Sequence, residues 1–187
     1  MLVDIFPLTL GKMSIMASTE NNKIADVQAP AIAITLKSYL MKGASINALV
    51  WAILGGKQFM AAAPETVLDY VAATNRGIPK LAVHNLAEVI DVPMKDMATL
   101  LNVSYKTLGR KKKTDTLDSL SSSLSIEIAN TVAKGLAVFE DTDKFSRWLQ
   151  KENRALQGKK PFELLNTPTG IKMVNKLLGR IEEGVYT

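Results

Sequence analysis

The chain has 187 residues, 47% of them hydrophobic and 22% charged, with a formal net charge of +5, one histidine and no cysteine. That is enough apolar material to bury a core in one medium domain or two small ones. It excludes disulfides, cysteine nucleophiles and thiolate metal sites, and a lone His84 argues against a histidine metal cluster or a Ser–His relay.

The missing cysteines fit a reducing, cytoplasmic compartment. The positive charge admits an acidic partner such as nucleic acid, and equally a chain that is merely basic. No metal and no cofactor are expected. The most apolar run, residues 48–56, is about half the roughly 20 residues a spanning helix needs, so no membrane is expected either.

Residues 1 to about 28 read as irregular or loosely attached. Asp4 stands where a signal peptide would want positive charge, and Met13 or Met16 would serve as alternative starts. From Pro30 the pattern turns helical. Ile32, Leu36, Tyr39 and Leu40 share a face that ends at Gly43. Ile46, Leu49, Val50 and Ile53 make a second helix, stopped by Gly55 and Gly56. Pro64 opens a third, with Val67, Leu68 and Val71 as its apolar positions and Gly77 and Pro79 closing it. Two shorter helices follow, carrying Leu81, Leu86, Val89 and Ile90, then Met97, Leu100 and Leu101 after Pro93.

Asn102 falls where a tight turn is expected, and asparagine tolerates a left-handed backbone. Ser104 caps the next helix, expected from Tyr105 to about Lys112. Residues 94–113 therefore have the layout of a helix-turn-helix. Ala98 is small where the second helix must cross, Val103 points inward and Leu108 anchors the second helix. Its exposed positions would be Ser104, Tyr105, Lys106, Thr107 and Arg110, followed by Lys111, Lys112 and Lys113. A reading helix puts its N-terminal residues on base edges, while lysine and arginine neutralise phosphate. The same residues are also what a plain helical bundle with a solvated basic face would show. Gly109 weakens the helix by on the order of 1 kcal/mol against alanine.

Residues 115–125 are serine-rich and read as a loop or a helix start. Residues 126–140 form a long amphipathic helix with Ile128, Val132, Leu136 and Phe139 inward, broken at residues 141–143. Phe145, Trp148 and Leu149 then share a helical face, and Gly158 breaks the chain. Pro161 suits a first helical turn ahead of Phe162, Leu164 and Leu165. Thr167 and Pro168 start a final helix with a stripe of Ile171, Val174, Leu177, Leu178 and Ile181, and Gly184 suits a left-handed cap. No period-2 alternation appears, so the fold class is all-α.

The ordered set Trp148-Leu149, Asn153, Leu156, Gly158, Pro161, Glu163-Leu164-Leu165, Thr167, Gly170, Val174, Leu177, Ile181 and Gly184-Val185 resembles the C-terminal toxin-binding domain of the Xre/MbcA/ParS antitoxins. Upstream, Leu86-Ala87-Glu88, Ile90, Val92, Met97-Ala98, Leu100-Leu101, Val103-Ser104, Thr107-Leu108 and Arg110 resemble the Xre-like helix-turn-helix of the same family. Asn102 and Gly109 depart from that pattern, where the family has a glycine and a better helix former. The resemblance covers roughly residues 54–187. It implies an N-terminal, partly helical extension over 1–53, a helix-turn-helix region over 54–138 and a toxin-binding domain over 139–187.

The resemblance further implies an antitoxin of a RES–Xre type II module that is not itself an enzyme. The partners implied are a RES-domain toxin that degrades NAD or ADP-ribosylates a target, double-stranded operator DNA for autorepression, and a second copy in a homodimer or higher oligomer. The toxin-binding residues would be Trp148, Asn153, Lys172, Lys176, Arg180, Glu183, Gly184, Val185, Tyr186 and Thr187, the last three obstructing the toxin's NAD pocket. Core packing is the alternative for Trp148 and its apolar neighbours. Two other readings stay open: a repressor without a toxin partner, and a protein-binding module in which residues 110–113 are only solvated.

Overall fold

A computed structural model describes residues 28–185. The longest helix among them has 21 residues, Ser119–Phe139, and starts well before the amphipathic stripe at residue 126. Asp118 caps it by accepting the Ser121 amide at 2.9 Å. Of the serines that resemble a loop in composition, Ser121, Ser122 and Ser125 are buried instead, and their hydroxyls have hydrogen-bond partners. Ser125 Oγ donates to the Ser121 carbonyl at 2.7 Å, and Ser122 Oγ accepts the Ile78 amide at 3.1 Å. Serine hydrogen-bonded this way is tolerated inside a helix that tertiary packing holds.

In chain order the helices are α1 Gln28–Met41, α2 Ile46–Ile53, α3 Val67–Arg76, α4 Lys80–Val89, α5 Met94–Leu100, α6 Tyr105–Arg110, α7 Ser119–Phe139, α8 Thr142–Gln150 and α9 Pro168–Glu182. Short 3₁₀ turns lie at Gly56–Gln58, Arg154–Leu156 and Pro161–Leu164. Among the described residues there is no strand, only an isolated bridge between Pro79 and Thr116. The all-α expectation holds.

α7 packs against α2, α3, α8 and α9, so it serves the core on both sides of the chain's midpoint. Ile128, Ala129, Val132, Ala133 and Leu136 on α7 are fully buried. α1 and α2, which lie outside the motif resemblance, contribute Leu36, Leu49, Val50 and Ile53 to the same contiguous cluster. The cluster runs through Leu86, Met97 and Leu108 to Phe145, Leu149, Leu165 and Val174.

Two expectations change. α3 starts at Val67 behind a capping box of Thr66 and Asp69, not at Pro64. Its inward residues are Tyr70 and Ala73, whereas Val67 and Leu68 are 77% and 76% exposed and Val71 is exposed too. Tyr70 settles the rotation of the helix, because its hydroxyl reaches Asn47 Oδ1 at 2.9 Å. The second change is the end of α6, which stops at Arg110 with Lys111 already extended. The irregular reading of residues 1–27 lies outside the described residues.

Candidate nucleic-acid interface and docking face

α5, the turn and α6 form one compact unit. Met97, Ala98 and Leu100 are buried beneath Leu108, and Ala98 lets the two helices approach. Asn102 sits at φ +55°, as its turn requires, and the Val103 amide donates to the Ala98 carbonyl at 3.0 Å. Ser104 is the N-cap of α6 and accepts the Thr107 amide at 2.9 Å. Tyr105 (58% exposed), Lys106, Thr107 and Arg110 then stand on the solvent side of α6.

The basic run divides. Arg110, Lys112 and Lys113 are exposed, but Lys111 turns back and donates its ammonium to the Thr116 carbonyl at 2.8 Å. The loop beyond α6 is stitched to the start of α4. The Lys80 amide donates to the Asp115 carbonyl and the Leu81 amide to the Lys113 carbonyl, both at 2.9 Å. The Lys80 ammonium donates to the Lys111 carbonyl at 2.7 Å. No sequence pattern signalled Lys80, since the groups it joins lie about thirty positions away.

The C-terminal unit is built by close approach. The Thr167 hydroxyl accepts the Gly170 amide at 3.1 Å and starts α9. A Cβ on Gly170 would overlap the Leu164 carbonyl, so only glycine lets α9 sit this close to the Pro161–Leu164 turn. A Cβ on Gly135 would likewise overlap the buried Phe145 ring between α7 and α8. Phe139, Phe145 and Trp148 cluster there with ring centroids 5.4 to 5.9 Å apart. Trp148 is half-buried in this cluster. Asn153 is spent on the loop, where its side chain accepts the Ala155 amide at 2.9 Å and its carbonyl accepts the Gly158 amide at 3.0 Å.

α9 buries Ile171, Val174, Leu177 and Leu178 and leaves Lys172, Met173, Lys176 and Glu183 exposed, with Arg180 half-buried. At its end the Val185 amide donates to the Arg180 carbonyl at 2.8 Å and the Gly184 amide to the Ile181 carbonyl at 3.0 Å, with Gly184 at φ +72°. This paired closure directs Val185 out to solvent. Tyr186 and Thr187 lie outside the described residues.

Residues 134–184 match the antitoxin Xre/MbcA/ParS C-terminal toxin-binding domain, and residues 69–130 match the antitoxin Xre-like helix-turn-helix domain. The chain is an Xre-type antitoxin. No curated protein matches it. The antitoxin's two matched domains imply two partners, a toxin and DNA. They meet within α7, which carries the end of the first match and the beginning of the second. They also touch where the Asn102 side chain donates its Nδ2 to the Asn166 backbone carbonyl at 3.1 Å. Among the described residues of the antitoxin no helix is long and apolar enough to cross a membrane.

Proposed function

We propose that this antitoxin neutralises a RES-domain toxin that consumes NAD or ADP-ribosylates a target, without catalysis of its own, and represses its own promoter in the cytoplasm as a homodimer or higher oligomer. The observation that carries the neutralising half is the form of α9. One face is committed to the core, while Lys172, Lys176 and Glu183 are exposed and the Gly184 cap throws Val185 outward. A segment presented in this way suits insertion into a pocket. Arg180 and the two lysines would pair with acidic groups on the toxin. Glu183 would meet the basic groups of a site made for pyrophosphate. Trp148, half-buried between α7 and α8, and Asn153, in the loop after α8, would complete the toxin-binding surface.

For the promoter, Ser104, Tyr105, Lys106, Thr107 and Arg110 would enter the major groove, with Lys112 and Lys113 on the flanking phosphates. Lys111 would add its charge to the field at short range.

The test is to tag the N-terminus, purify the chain from its own host under mild conditions, and assay any stoichiometric partner for NAD loss before and after separation. A partner that destroys NAD only when freed supports the reading. Removal of residues 185–187 is expected to abolish neutralisation while the melting temperature stays unchanged. A truncated chain that still neutralises would rule out obstruction by the tail.

A further inference from the structure

α6 is six residues long and carries a glycine at its fifth position. Isolated helices of this length do not persist in water, and the glycine weakens this one further. Its N-terminus has the Ser104 cap, and one apolar residue, Leu108, holds it to the core. Its C-terminus has no glycine cap, because Lys111 is extended at φ −70° and ψ 138°. The last carbonyls of a helix need donors from elsewhere.

Lys80 supplies them. It is the first residue of α4, where a positive charge is disfavoured by the helix dipole. Its ammonium is directed away from α4 and onto the end of α6, 2.7 Å from the Lys111 carbonyl and 3.4 Å from the Gly109 carbonyl. There the dipole of α6 favours a cation. The residue is half-buried, and its own amide is anchored to the Asp115 carbonyl, so the brace starts from a fixed point.

We propose that Lys80 is a positioning residue for DNA reading, clamping the C-terminal carbonyls of the short reading helix so that Tyr105, Lys106 and Thr107 are presented in one orientation. This rests on the DNA-reading role proposed above. Lys80 acts through the helix and not on phosphate, and that distinction is measurable. A phosphate contact contributes about 0.9 to the slope of log affinity against log salt, whereas a brace contributes nothing to it.

The experiment uses the full chain and a labelled duplex of the DNA immediately upstream of its coding sequence, titrated over a range of salt. Lys80→Gln is expected to lower affinity about tenfold at every salt concentration with the slope unchanged, the scale of a lost charged hydrogen bond. Lys80→Arg, which keeps the donors, should restore most of it. Adding Gly109→Ala to Lys80→Gln should recover about fivefold, because alanine stiffens the helix and its Cβ meets nothing within 4 Å. Backbone amide exchange in α6 should accelerate in Lys80→Gln and stay normal in α9. A slope lowered by about 0.9, or an affinity equal to wild type, would overturn the proposal while leaving DNA reading intact. A wild-type chain that binds the duplex no better than a scrambled one would overturn DNA reading itself, and the brace's role with it.

Discussion

The terminal helix and the reading helix of this antitoxin are held in opposite ways. α9 has fifteen residues, a capped start, a glycine closure and a buried stripe, and it is pressed onto its neighbours where Gly170 removes the Cβ. α6 has six residues, one buried anchor and a brace of side chains reaching backbone carbonyls. Packing fixes the first and hydrogen bonds fix the second. A docking face built by packing is rigid and tolerates exposed substitution. A reading helix built by a few polar ties is sensitive to residues that never touch the ligand.

The sharpest way to break this contrast is to give each helix the methyl group its glycine lacks. Gly170→Ala must displace the Leu164 carbonyl, and a loss of roughly 3 kcal/mol is expected from overpacking, read by denaturant unfolding. Gly109→Ala meets open space and should gain about 1 kcal/mol. Equal effects of the same sign would erase the difference between the two helices.

The basic run sharpens it on the DNA side. Lys106→Gln and Arg110→Gln should each lower the salt slope of duplex binding by about 0.9. Lys111→Gln should leave the slope nearly unchanged, since its ammonium is turned to the Thr116 carbonyl at 2.8 Å. A full unit lost at Lys111 would place it on phosphate.

The smallest effect is acid sensitivity of the helix starts. Backbone amides hold three capping carboxyls below their usual range: Thr66 at Asp69, Ser121 at Asp118 and Lys144 at Asp141. A lowered native value means that the ionised form is the one folding favours. Their contribution is therefore complete above the ordinary carboxylate value, near pH 4, and is lost as pH falls through the lowered native values. Melting temperature followed from pH 6 downward should decline first below about pH 4, and Asp118→Asn should flatten part of that decline.

Much of this was legible in one dimension because it depends on neighbours along the chain. The Thr167 cap, the stripe from Ile171 to Ile181, the Gly184 closure and the left-handed Asn102 turn all rest on local geometry, and the structure places each as expected except that Ile181, at the end of the stripe, is only half-buried. α3 was misread because Val67, Leu68 and Val71 look like a core face. Which side of a short helix is buried depends on what it packs against, here α7 and Asn47. The serine run before residue 126 was ambiguous for a related reason, since its hydroxyls become helical only once Asp118, Ile78 and their own carbonyls satisfy them.

The sequence by itself determined the all-α class, the order of helices, the two family domains and the residues that start and stop most elements. These follow from periodicity, capping chemistry and backbone preference, which act within a few residues. Only the tertiary structure decided that α7 serves both domains, that α1 and α2 belong to the same core, that Lys111 turns back to the Thr116 carbonyl and that Lys80 reaches the end of α6. Lys80 and its carbonyls lie about thirty positions apart, and no local rule encodes which carbonyl a lysine will find.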